Sequence, residues 1–112
     1  MLPKRIPKTK NRSSRWRSPS HCSFVRQHAC CACGSTAAIE VAHVRIGTGA
    51  GIGQKPHDFW TISLCHECHS TQHRVGESTF EKMANINMKA LAEEFAKASP
   101  RRMEIMEAKR NV

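Results

Sequence analysis

The sequence predicts a small α+β domain: two short strands leading into a helix, held by a metal staple, flanked by further helices and preceded by a basic arm. Three observations carry that expectation. Two Cys-x-x-Cys pairs, in "CCAC" and "CHEC", lie on either side of a stretch with two strand-like runs. The apolar pattern changes from alternation in the middle of the chain to helical spacing after residue 77. No acidic residue occurs before Glu40, although Lys4, Arg5, Lys8, Lys10, Arg12, Arg15, Arg17 and Arg26 all do.

The chain has 112 residues, a net charge of +9 and no tyrosine. One domain with a modest apolar core is expected, and domains of that size commonly need a metal or disulfides. The six cysteines accompany no secretory leader pattern, so a cytoplasmic chain with metal-binding thiols is expected rather than a disulfide framework. No segment has the length of a membrane span. The excess of cations points to a polyanion partner, nucleic acid above all.

Residues 1–19 are rich in Lys, Arg, Ser and Pro and read as a flexible arm. "SHCSFVRQHA" (20–29) reads as a short helix, and "AIEVAHVRI" as a strand with His43 at its middle. "GTGAGIGQKPHD" reads as a loop. It does not match GxGxxG and runs into no helix, so it is not a dinucleotide site. "FWTISLC" reads as the second strand, and "HECHSTQHRV" as a helix stopped by Gly76. Met88, Leu91, Ala92, Phe95 and Ala98 give the next helix one apolar packing stripe, with Asn87 as its N-cap and Pro100 at its end. Residues 101–112 read as a charged tail that frays.

The chemistry concentrates in "LCHECHSTQH", residues 64–73. A closed zinc site takes four ligands, and two Cys-x-x-Cys knuckles supply them from Cys30, Cys33, Cys65 and Cys68. Cys31 competes for the first position with poorer spacing, and Cys22 is spare. The thiolates leave the histidines free. His69 and His73 are one helical turn apart and face the same way, so they can share a second metal ion. His66 is a weaker candidate at the helix start. A strand folded against that helix brings His43 towards the pair. A neutral imidazole beside a metal ion can take a proton from water during phosphodiester hydrolysis.

Strand with His, loop, strand and helix with His, bracketed by CxxC pairs, resembles the HNH endonucleases of the ββα-metal class. "HCSFVRQHACCACGS", "IEVAHVRIGTGAGIGQKPHDFWTISLCHECHSTQHRVGESTFE" and "NMKALAEEFAKASP" are similar to a group of small phage and prophage HNH nucleases related to the phage recombination-enhancement nuclease. The resemblance covers about residues 20–100, which it marks as the nuclease domain. It implies that His43 is the general base, that His69 and His73 hold a catalytic divalent ion such as Mg2+ or Mn2+, and that the four cysteines hold structural Zn2+. Many members carry an acidic residue or histidine just before the base, where this chain has Ala42. Many carry asparagine near the start of the second strand, where it has Trp60. Asp58 is then available for a metal-binding or His-orienting role. The expected activity is DNA cleavage of low sequence specificity by a monomer. Lys4, Arg5, Lys8, Lys10, Arg12, Arg15, Arg17, Arg45, Lys55 and Arg74 would hold the DNA backbone. The alternatives are a non-catalytic zinc module that binds nucleic acid, with incidental histidines, and a zinc-stabilised module with a protein partner.

Overall fold

Two five-residue strands and the helix that follows them without a linker form the centre of the chain. The computed structural model describes residues 2–4, 15–50 and 55–111. Among these the elements run α1 (Pro19–Arg26), β1 (Ile39–His43), β2 (Thr61–Cys65), α2 (His66–Val75), α3 (Glu77–Ala84), α4 (Met88–Ala98) and α5 (Arg102–Arg110). The result is a small α+β domain with a two-stranded antiparallel sheet and five helices. The register sets Ile39 opposite Cys65, Glu40 opposite Leu64 and His43 opposite Thr61. His43 therefore closes β1 rather than sitting at its middle, and one further backbone bond, from the Val44 N–H to the Trp60 carbonyl at 2.8 Å, joins the two chains just beyond it. Arg45, Lys8, Lys10 and the other cations of the expected backbone-binding set divide: Arg5, Lys8, Lys10 and Arg12 lie outside the described residues.

Local signals explain the element ends. Ser18 caps α1 by accepting from the His21 N–H at 3.1 Å, and Pro19 supplies the first helical position, where no donor is needed. Asn87 caps α4 by accepting from the Ala90 N–H at 2.9 Å. Gly76, with φ 89°, stops α2 in a conformation that a side chain would strain, and α3 starts at once.

The main core lies between the sheet and α3–α4. Ala42, Ile62 and Leu64 pack with Phe80, Met88 and Ala92. The buried line of α4 is Met88, Ala92 and Ala96, whereas Ala98 is exposed and Leu91 and Phe95 are only partly covered. The expected stripe is thus rotated. The reason is α5: residues 102–110 do not fray but dock Ile105, 2% exposed, against Phe59 and Ala96. Residues 15–18 are docked as well. Trp16 packs on Phe59 at 5.7 Å between ring centroids, and its carbonyl accepts from the Asp58 N–H at 2.9 Å.

Candidate metal centre and basic cleft

Each cysteine knuckle is a tight turn whose backbone N–H groups point at its first sulfur. Ala32 N–H and Cys33 N–H donate to Cys30 Sγ at 3.4 and 3.5 Å, and Cys68 N–H donates to Cys65 Sγ at 3.5 Å. Gly34, at φ 78°, allows the first turn to close, with its N–H on the Cys30 carbonyl at 2.9 Å. The second knuckle is the junction of β2 and α2, so Cys65 is also the cap of α2. The sheet register then carries the two knuckles together. The sulfurs of Cys30, Cys33, Cys65 and Cys68 all lie within 4.8 Å of one another, the only such His, Cys, Asp or Glu group of three or more among the described residues. Cys33 Sγ and Cys65 Sγ are 3.7 Å apart. A tetrahedral ion with Zn–S bonds of about 2.3 Å needs edges of about 3.8 Å. The donor set and its size therefore suit a structural zinc site. Cys31 is left out, its sulfur directed to Ser63 Oγ at 3.5 Å.

The crowded thiols shift one another's ionisation. Burial raises Cys30, but backbone donors at Cys65, Cys33 and Ala32 outweigh it and bring the thiol down to about 6. Cys68 is pushed far up, first by burial and then by the neighbouring sulfurs. A divalent ion relieves that mutual repulsion and allows all four to ionise.

His43 and Asp58 form a second arrangement. Asp58 stands three residues before β2, and its Oδ1 accepts from His43 Nε2 at 2.8 Å and Arg17 Nη1 at 3.2 Å. Its Oδ2 accepts from the Ser18 N–H at 2.8 Å. Burial opposes the charge, yet the bonds from His43 and Ser18 and the nearby Arg17 cation hold the carboxyl down at about 2. With Nε2 engaged, His43 is left with Nδ1 as its basic nitrogen. Arg17 also donates to the Pro56 carbonyl at 2.6 Å, so much of its donor capacity is spent inside the protein. The Trp16 N–H donates to His57 Nδ1 at 2.8 Å, and the His57 ring stacks on Phe59 at 4.8 Å. Residues 15–18 thus form a strap across the base of Asp58.

The third arrangement lies on α2. His69 Nε2 and His73 Nε2 are 3.1 Å apart. Two ligands at right angles on one ion with bonds of about 2.2 Å are separated by about 3.1 Å, close to the bond lengths imidazoles adopt. The pair therefore fits a shared ion. Glu40, which the sequence reading passed over, accepts from His69 Nδ1 and His66 Nδ1, each at 2.8 Å. Those two bonds, His69 first, lower its carboxyl below the usual range.

One cleft of about 610 Å³ is lined by His43 and Asp58, by Glu40, His69 and His73, and by Arg17, Arg26, Arg45 and Lys55. Arg26 and Cys22 are cleft residues that the sequence reading had not placed there. A basic residue in the last turn of α1 was the available signal for Arg26. Arg74 is exposed on α2 outside the cleft lining, and Arg15 Nη1 lies 3.3 Å from His57 Nε2. Ala42, immediately before His43, is fully buried in the core, and Trp60 lies under the Lys109 ammonium at 4.4 Å. No helix among the described residues is long and apolar enough to cross a membrane.

Searches of curated proteins and of solved structures returned no match to the chain. A family model described as "Protein of unknown function (DUF968)" matches residues 4–100, a span that holds both knuckles and every cleft residue named above. The chain belongs to the DUF968 family.

Proposed function

We propose that the protein is a metal-dependent DNA endonuclease of the HNH type, with its zinc-stapled ββα unit as the catalytic core. The observation that carries this reading is the cleft: an Asp-bound imidazole, a pair of converging imidazoles and four cations share one concavity. Arg26, Arg45 and Lys55 would neutralise the phosphates of a strand lying in it, with Arg17 adding charge at its floor. Asp58 holds His43 by Nε2 and stabilises the imidazolium that forms. His43 Nδ1 takes the proton of a water molecule as its oxygen bonds to phosphorus and the bond to the leaving ester oxygen breaks. A divalent ion on His69 and His73 would supply charge stabilisation for the phosphate and the leaving oxygen. Two imidazole donors suit a first-row transition ion better than Mg2+.

The test is plasmid nicking with a panel of divalent metals, wild type against His43→Ala. Loss of a general base is expected to slow cleavage about 100-fold or more while DNA binding survives. A variant that cuts as fast as wild type overturns the assignment of the base. Wild-type protein that binds DNA but fails to cut it with any metal of the panel returns the reading to a non-catalytic zinc module.

A further inference from the structure

We propose that Glu40 is a positioning residue for the histidine pair of α2: its carboxylate selects the Nδ1–H tautomer of His69, so that Nε2 presents a lone pair beside His73 to a divalent transition-metal ion, and His66 braces the carboxylate from its other oxygen. The inference rests on the metal-dependent reading of the cleft and deepens it.

For a neutral His69 the contacts fix which nitrogen carries the proton. A carboxylate only accepts, so the ring nitrogens it touches must donate. His69 Nδ1 lies 2.8 Å from Glu40 Oε1 and therefore carries a hydrogen. In a neutral imidazole the other nitrogen is then an acceptor. His69 Nε2 is that acceptor, and it faces His73 Nε2 at 3.1 Å. An imidazole without a partner prefers its hydrogen on Nε2, which would block this position. Glu40 reverses the preference.

The backbone explains why Glu40 can do this. The register places it opposite Leu64, next to the point where β2 passes into α2. His66, His69 and His73 follow at i, i+3 and i+7, one face of that helix. Glu40 Oε2 lies 2.8 Å from His66 Nδ1, so each oxygen has its own imidazole. Contacts at both oxygens favour the rotamer that keeps the carboxylate on His69. Carboxylates that accept from the far nitrogen of a metal-bound histidine fix its ring in this way, and their loss weakens metal binding.

The experiment uses the full chain with zinc on its cysteines. Long-range 1H–15N spectra of the histidine rings report the tautomer without metal in the cleft and without any activity. Calorimetric titration with Ni2+ reports the second site, and the absence of thiolate-to-nickel absorption shows that the zinc stays in place. Wild type is expected to show His69 as Nδ1–H and to bind Ni2+, with binding lost in His69→Ala and His73→Ala. Glu40→Ala is expected to move His69 towards Nε2–H and to weaken Ni2+ about 10- to 100-fold. Glu40→Gln keeps an accepting oxygen and is expected to restore the tautomer and most of the affinity. Finding His69 as Nε2–H in wild type overturns the proposal. A Glu40→Ala variant that binds Ni2+ as tightly as wild type overturns it alone and leaves the metal reading of the cleft standing. Wild type that binds no Ni2+ at the histidine pair overturns both.

Discussion

Replacing Cys65 by serine tests how far the fold depends on its thiol cluster. Cys65 closes β2, caps α2 and is 7% exposed, with its sulfur 3.7 Å from that of Cys33. A metal bridging Cys30 and Cys65 closes a loop of about 36 residues, and the entropy such a cross-link removes from the unfolded chain is about 4 kcal/mol. A domain of this size has a total stability of about 5–10 kcal/mol. The cross-link is therefore comparable to the whole margin. In a domain of 60–100 residues each kcal/mol moves Tm by about 4–8 °C, so Cys65→Ser, or removal of zinc by a strong chelator, is expected to lower Tm by at least about 15 °C. Zinc release followed with a chromophoric indicator should coincide with loss of the far-ultraviolet dichroism and with exposure of thiols to a disulfide reagent. Metal-free protein that melts cooperatively within about 3 °C of the zinc-loaded form would refute the reasoning, because the core of Ala42, Ile62, Leu64, Phe80 and Met88 would then suffice alone.

Asp58→Asn is expected to cost about 2 kcal/mol at neutral pH, because the carboxyl stands at about 2 against an ordinary value of 3.8 and is 5% exposed. Its folded pKa is lowered, so the contribution is complete above about pH 4 and lost as pH falls through about 2. The difference in denaturation free energy between wild type and variant should follow that window, since acid release of zinc is common to both; a pH-independent difference would contradict it. Deleting residues 1–14 removes Lys4, Arg5, Lys8, Lys10 and Arg12 but spares the docked strap, and should weaken DNA binding and flatten its salt slope by up to about 4. An unchanged slope would remove the arm from the interface. Ile105→Ala should cost about 2 kcal/mol in urea denaturation through the cavity it leaves beside Phe59 and Ala96; a loss below about 0.5 kcal/mol would show that α5 contributes little to the folded state.

Much of the local architecture is legible in the residue pattern. Gly76 and Asn87 mark helix ends because backbone conformation and capping are set within a few residues. The knuckle spacing singles out Cys30 over Cys31 because a four-residue turn aims alternate sulfurs in different directions. The spacing of His69 and His73 places them on one helical face for the same local reason. The fraying expected of residues 101–112 does not occur in 102–110, because α5 is held by tertiary contacts that no local pattern displays, Ile105 and Ala108 packing in the cluster of Phe59, far away in the chain.

Composition and spacing by themselves determined a small α+β chain with a basic character, two cysteine knuckles that could hold a metal and a histidine pair on a helix. The tertiary structure decided which distant groups complete those local features. Asp58 reaches His43 across 15 residues, Glu40 reaches His69 across 29, and Ser18 and Arg17 reach Asp58 across 40 and 41. The family resemblance offers Asp58 a His-orienting role, but the other pairs have no signature in the sequence, because a carboxylate in a strand or loop looks the same whether it faces solvent or an imidazole. The register of two short strands and the docking of one strap choose between those outcomes.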